Sequence, residues 1–189
     1  MESKVINAAD NIHQVQNVDC VKSPPPVISI ISKKRSGKTT FIVKLIQTLK
    51  NRGYRVGTLK HDTHGFDIDH EGKDTYKHKQ AGSDTVVISS PWKISVIKDV
   101  CVELTVDNIV ASFFMDVDIV ITEGYKKANK PQIEIFRSSA HQFPIYSKGE
   151  TTPLVAMASD IKIDMDVPVY NINDVKGVAD LIENRFLKK

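Results

Sequence analysis

Residues 27–40 read VISIISKKRSGKTT, an unbroken apolar run followed at once by a polar loop that ends in Gly37, Lys38 and Thr39. A short, wholly apolar run is the pattern of a parallel strand buried on both faces. The loop that follows, residues 32–40, matches the phosphate-loop (Walker A) pattern GxxxxGK[ST] everywhere except its first position, where Ser32 stands for glycine. In such a loop backbone N–H groups curl around phosphate oxygens, and the N-terminus of the next helix adds positive potential. Lys38 is placed to put its ammonium on the β- and γ-phosphates, Thr39 to offer a hydroxyl to Mg²⁺, and Thr40 to reach the α-phosphate. The expected nucleotide site is therefore Ser32, Lys33, Lys34, Arg35, Ser36, Gly37, Lys38, Thr39 and Thr40. Ser32 is expected to constrain the loop, because serine resists the positive φ values that glycine accepts. Lys33, Lys34 and Arg35 add cations that either attract phosphate or face water.

Outward from this loop, a helix is expected over 38–52, with Phe41, Ile42, Leu45, Ile46 and Leu49 on one face and Gly53 as its stop. YRVGTL resumes a strand. The runs TVVIS, ISVIK, VDIVIT, QIEIF and PLVAMA alternate with helical stretches such as TVDNIVASFF, and residues 174–187 form a closing helix. The fold class is α/β, a three-layer P-loop NTPase-type fold with a mostly parallel sheet. TVVIS and ISVIK, separated by SPWK, predict a hairpin and thus some antiparallel pairing within that sheet.

The chain of 189 residues, 41% hydrophobic, suits one compact domain. Residues 26–189 are assigned to the P-loop nucleotide-binding domain, and residues 1–25, up to the SPPP run at 23–26, to a flexible N-terminal extension. The 26 basic and 23 acidic residues balance to +3, which argues against a general nucleic-acid or membrane-surface binder. No apolar run approaches the roughly 20 residues that cross a bilayer, and the polar start lacks a signal-peptide core, so a cytoplasmic location is expected. Cys20 and Cys101 form neither a zinc-type pair nor a disulfide framework and are expected as free thiols.

A P-loop protein also needs an acid near Mg²⁺, usually at the end of a neighbouring buried strand. VDIVITEG offers Asp118 at the strand's start and Glu123 at its end, and only Glu123 should emerge on the phosphate side. A second acidic stretch, HDTHGFDIDH at 61–70, follows the second strand directly. Asp67 and Asp69 alternate, so in an extended segment both point to one side, toward Mg²⁺ or a water, while Phe66 and Ile68 anchor the other side in the core. Lys38, Asp69 and Glu123 are the candidate catalytic residues; Thr39, Asp67, Asp69 and Glu123 are the candidate metal ligands. Zinc would want three or four converging imidazole or thiolate ligands, which the spacing of His61, His64 and His70 does not enforce. His61 and His64 are read instead as donors facing a ligand. GKDTYKHKQAG opens with Asp74 as a helix cap and carries Lys73, a candidate for an anionic substrate, alongside a solvated basic face. The NKxD guanine signature is absent: NKPQ at 129–132 breaks it. Asp160, after VAMAS, is placed where an aspartate could read the base, the alternative being a turn cap.

Taken together, SGKTT, LKHDTHGFDIDHEGKDTYKHKQAGSD and VITEGYK resemble the molybdopterin-guanine dinucleotide biosynthesis protein B family, MobB, over about residues 27–137. The central segment is the distinctive part. The resemblance implies a GTP-binding protein with weak GTPase activity that forms a homodimer. It also implies an accessory role: helping the molybdenum cofactor guanylyltransferase MobA convert molybdopterin to molybdopterin guanine dinucleotide. Ser32 departs from the glycine that opens this family's loop, which bears on hydrolysis, and residues 1–25 extend beyond its usual start. Two other functions fit the same residues. One is a small-molecule kinase with Asp67 or Asp69 as base; the other is a nucleotide- or pterin-binding module without turnover.

Overall fold

The computed structural model describes residues 23–188. The expected extension lies, up to residue 22 and including Cys20, outside the described residues; Cys101 is an exposed free thiol. Strand β1 (Val27–Ile31) is buried along its whole length, as its apolar sequence requires. It sits inside a six-stranded sheet with β2 (Val56–Lys60), β5 (Ile119–Glu123), β6 (Gln132–Phe136), β7 (Leu154–Ser159) and β8 (Val169–Asn171), in the order β2-β5-β1-β6-β7-β8. Every pairing in this sheet is parallel. The carboxyl ends of the strands therefore share one edge, and that edge is where an open α/β sheet places its ligands.

Residue alternation along the strands separates two cores. On one face Ile28, Ile30, Ile119 and Ile121 meet α1 (Lys38–Asn51) through Phe41, Ile42, Leu45 and Leu49, and α4 (Val175–Ile182) through Val178 and Ile182. Burying each such side chain contributes about 1.5–3 kcal/mol, so truncating Leu45, which has no exposed surface, costs about 2–5 kcal/mol. On the other face Val27 and Val120 meet Val106 and Val110 of α3 (Val106–Phe113), capped by the Thr105 side chain. Gly57 is required where β2 passes under α3, since a Cβ there would stand 2.4 Å from the Phe114 ring. The rest of that face is closed by irregular chain, with Tyr146, Ile163, Met165 and Val167 covering Phe136, Leu154 and Met157. The closing helix continues as a π-helical turn (Glu183–Leu187), and Glu183 accepts hydrogen bonds from Arg52 and Tyr54.

The expected hairpin forms, but not within the main sheet. β3 (Thr85–Ser90) and β4 (Lys93–Lys98) make a separate two-stranded antiparallel sheet that follows α2 (Asp74–Gln80). The Ser90 side chain accepts from the Lys93 N–H and tightens the turn. Of the hairpin's strand residues only Val86 is buried; Ile88 and Ile94 are exposed, and Trp92 at the tip is 95% exposed. Asp74 is not the cap of α2 either. Lys73 holds the cap position, and Asp74 sits in the first turn, where its charge favours the helix N-terminus. Among the described residues no helix is long and apolar enough to cross a membrane.

Candidate functional site

Strand order lays the candidate residues out along one edge. His61 follows β2, Glu123 ends β5, the loop of residues 32–37 follows β1, Arg137 follows β6, and Asp160 follows β7. Each lies at a carboxyl end, so the sheet alone delivers them to the same edge.

The loop itself departs from expectation at Ser32. That residue is buried and has no positive φ; the left-handed positions are Arg35 (φ 64°) and Gly37 (φ 83°). The expected constraint from serine does not arise, because the chain turns later. Gly37 is the N-cap of α1 and supplies no side-chain cap, and the first turn of α1 carries no acidic residue. The helix thus presents uncompensated N–H groups and its positive end to the crevice, which is the chemistry a phosphate requires. Lys38 Nζ lies 3.7 Å from Glu123 Oε1, and Thr39 Oγ1 donates to that oxygen at 3.2 Å. Lysine, hydroxyl and carboxylate converge as a phosphate with Mg²⁺ would need: Thr39 and Glu123 would hold the ion directly or through water, and Lys38 would turn to the phosphates. Asp118, at the other end of β5, instead accepts from the backbone N–H and guanidinium of Arg55 and ties β2 to β5.

The basic residues of the loop divide. Lys33 Nζ donates to the Phe143 carbonyl at 2.8 Å, and the Lys34 carbonyl contacts His141 Nε2, so residues after β6 fold across the loop. Buried Glu134 anchors this strap by accepting from the Ile145 and Tyr146 N–H groups; burial pushes its carboxyl above the usual range. Arg137 is a residue that sequence reasoning missed. Its guanidinium lies against Gly37, so close that a Cβ there would meet Nη2 at 3.3 Å. Its only sequence signal is a cation directly after the apolar run QIEIF, at a strand's carboxyl end. Asp160 is close to it. The Asp160 carboxylate accepts from the Ser138 N–H and hydroxyl, and the Ser138 bonds, with Arg137 nearby, hold it below the usual aspartate range.

Residues 61–70 form a loop, as Gly65 suggests, but its apolar residues do not anchor it: Phe66 is 72% and Ile68 63% exposed. The segment has left the sheet, and no layer lies over it. Asp67 is exposed. Asp69 faces a cavity of about 490 Å³ between α2 and the hairpin, shared with Lys73, where one carboxylate oxygen is buried without a partner. Among the described residues no hydrogen bond or ion pair joins Asp67 or Asp69 to Lys38, Thr39 or Glu123, and no three acidic, histidine or cysteine side chains cluster as a metal site. His64 is exposed, with its backbone N–H held by Asp62. His61 reaches the phosphate-loop edge, stacked on Tyr125 with ring centroids 4.7 Å apart and paired with Glu103 at 2.9 Å. Tyr125 has φ 54°, a left-handed conformation that costs a side-chain-bearing residue roughly 1–2 kcal/mol.

A parallel sheet whose central strand runs through such a loop into a helix defines the P-loop NTPase class of α/β folds. Within that class the chain belongs to the MobB family, molybdopterin guanine dinucleotide synthesis protein B, whose family model matches residues 27–160. It is 32% identical over 164 residues to the molybdopterin-guanine dinucleotide biosynthesis adapter protein of Escherichia coli (strain K12), spanning 85% of this chain and 93% of that protein. The Haemophilus influenzae protein of the same description is 31% identical over 160 residues, covering 84% and 88%. Among solved structures, Bacillus subtilis MobB superposes with a TM-score of 0.67 at 23% identity, over 87% of this chain and 99% of that one. A molybdopterin-guanine biosynthesis protein B (mobB) structure gives 0.65 at 28% identity, over 84% and 98%.

Proposed function

We propose that this chain is a GTP-binding adapter protein with weak, Mg²⁺-dependent GTPase activity that assists the conversion of molybdopterin to molybdopterin guanine dinucleotide. The observation that carries it is the convergence of Lys38, Thr39 and Glu123 at the end of β1 and β5 in a chain of the MobB family. Bound Mg²⁺ would spread the charge of the phosphates. Lys38 would hold the β- and γ-phosphates, Thr39 and Glu123 would fix the ion's position, and Arg137 would add a cation across the loop. Base choice falls to Asp160, whose carboxylate keeps lone pairs beyond the two engaged by Ser138. Turnover is slow in this reading because, among the described residues, no further acid contacts the Lys38 cluster to act as base. The same fact weakens the kinase reading, since Asp69, its candidate base, faces a different cavity.

The working form in this reading is a homodimer, and its partner enzyme is the guanylyltransferase MobA. The β3–β4 hairpin supports the first part: an isolated two-stranded sheet is marginal in water, and this one exposes Val87, Ile94 and Val96 on one face, with Trp92 at its tip, an apolar surface that a second copy would cover. Reconstitution tests the function. Purified guanylyltransferase, molybdopterin and GTP should yield more dinucleotide when this chain is added, and the Lys38→Ala variant should give no increase. An unchanged yield with the wild-type chain would refute the adapter reading.

A further inference from the structure

A cavity of about 750 Å³ opens beside Glu123, walled by the turn that follows β5 and by the end of β2. Its volume suits a small heterocyclic ligand. The Tyr125–His61 stack forms one wall, and Lys126, Lys127, Asn129 and Lys130 line the turn. Lys130 is paired with Asp107 and His61 with Glu103, so these cavity acids are already engaged. Lys126 and Lys127 are exposed and have no ion-pair partner within 4 Å among the described residues. The cavity thus couples an aromatic surface with two uncommitted cations.

Two observations separate it from a nucleotide-base pocket. First, strand order puts it on the β5–β2 side of the phosphate loop, whereas Arg137 and Asp160 lie on the β6–β7 side. Four inter-strand spacings divide β2 from β7, roughly 20 Å. Second, Tyr125 holds its left-handed backbone immediately after Gly124, itself at φ 97°, and these two turn the chain so that the aromatic ring meets His61 directly after Glu123. Strained side-chain-bearing residues of this kind collect at ligand sites.

We propose that this cavity binds a planar heteroaromatic ring bearing an anionic group, of the pterin kind, at the same time as a nucleotide occupies the phosphate loop. The ring lies against Tyr125 and His61, and Lys126 and Lys127 take the anion. The proposal rests on the adapter reading and deepens it, because it sets the second ligand next to Glu123, on the terminal-phosphate side of the loop.

The experiment uses pterin-6-carboxylate, whose own fluorescence reports stacking, titrated into the full chain with and without saturating GTP; neutral pterin is the control. Binding is expected in both conditions, with neutral pterin weaker. The double variant K126E/K127E should weaken the carboxylate about tenfold or more while leaving GTP affinity and melting temperature near wild type. Tyr125→Gly, which suits the left-handed backbone, should abolish fluorescence quenching. Competition between pterin-6-carboxylate and GTP would overturn the proposal by making the cavity the base pocket. So would an unchanged affinity in K126E/K127E, or absence of pterin binding by a protein that still binds GTP. Loss of GTP binding with pterin binding retained would instead sink the nucleotide reading and leave the cavity standing.

Discussion

Thr39 Oγ1 donates to Glu123 Oε1 across 3.2 Å, and Lys38 Nζ stands 3.7 Å from the same carboxylate oxygen. The first turn of α1 is thereby joined to the end of β5 by the groups that a phosphate and its cation would recruit. Lys38→Ala should weaken GTP by about tenfold to a hundredfold, the worth of a charge-assisted contact of about 1.5–3 kcal/mol. GMP, which lacks the β- and γ-phosphates, should lose far less. Parallel calorimetric titrations check this, and equal losses for the two nucleotides would contradict the role given to Lys38.

Glu123→Gln keeps the shape of the side chain and a hydrogen-bond partner for Thr39 but removes the charge. The Mg²⁺ concentration needed for half-maximal GTP binding should rise about tenfold or more, as for loss of a supporting metal contact. GTP binding without Mg²⁺ should hold or improve, since an anion has left the crevice. A Mg²⁺ titration that superposes on the wild type would remove Glu123 from the site.

Arg137 and Gly37 depend on one another. Arg137→Ala leaves the fold intact, since the residue is only partly buried, and should lower GTP affinity or turnover about tenfold. Gly37→Ala forces a Cβ into both a left-handed backbone and the Arg137 guanidinium, and should cost about 1–2 kcal/mol of stability with loss of nucleotide binding. Thermal melts and titrations of the two variants separate these effects.

Asp160 links the strap to pH. Its folded value lies below the ordinary aspartate range, chiefly through the Ser138 N–H, so its contribution is present above that range and is lost as pH falls through the folded value. The melting temperature of Asp160→Ala should fall short of wild type at pH 7, and the gap should close below about pH 4. A gap that persists unchanged at about pH 2 would mean that the carboxylate charge is not what holds Ser138.

The hairpin gives the test of assembly. Ile94→Lys places a charge on its exposed face and should convert a dimer to a monomer in sedimentation without lowering the melting temperature of the isolated fold. A wild-type chain that sediments as a monomer at micromolar concentration would contradict the homodimer.

What was legible in the sequence follows from how local its cause is. The phosphate loop and Glu123 were readable because a buried parallel strand must be continuously apolar, and the residues at its end are then forced to one edge. VISII and VDIVITEG state this directly. Ser32 misled because a pattern marks where glycine is usual, not where φ is positive; the chain instead turns at Arg35 and Gly37. Phe66 and Ile68 misled because alternation signals burial only where another layer exists to bury against, and residues 61–70 have left the sheet. Arg137 and the Tyr125–His61 stack were illegible because each depends on strand order, with β5 and β6 flanking β1, which no local stretch encodes.

Residues 32–40 with Glu123 are proposed to form a GTP site linked to Mg²⁺. Calorimetric titration of the full chain with GTP and with ATP, each in the presence and absence of Mg²⁺, tests it most directly. GTP should bind more tightly than ATP, and Mg²⁺ should strengthen that binding. Preference for ATP would contradict it and put a kinase in its place; binding of neither nucleotide would show that the loop does not serve a nucleotide in this chain alone.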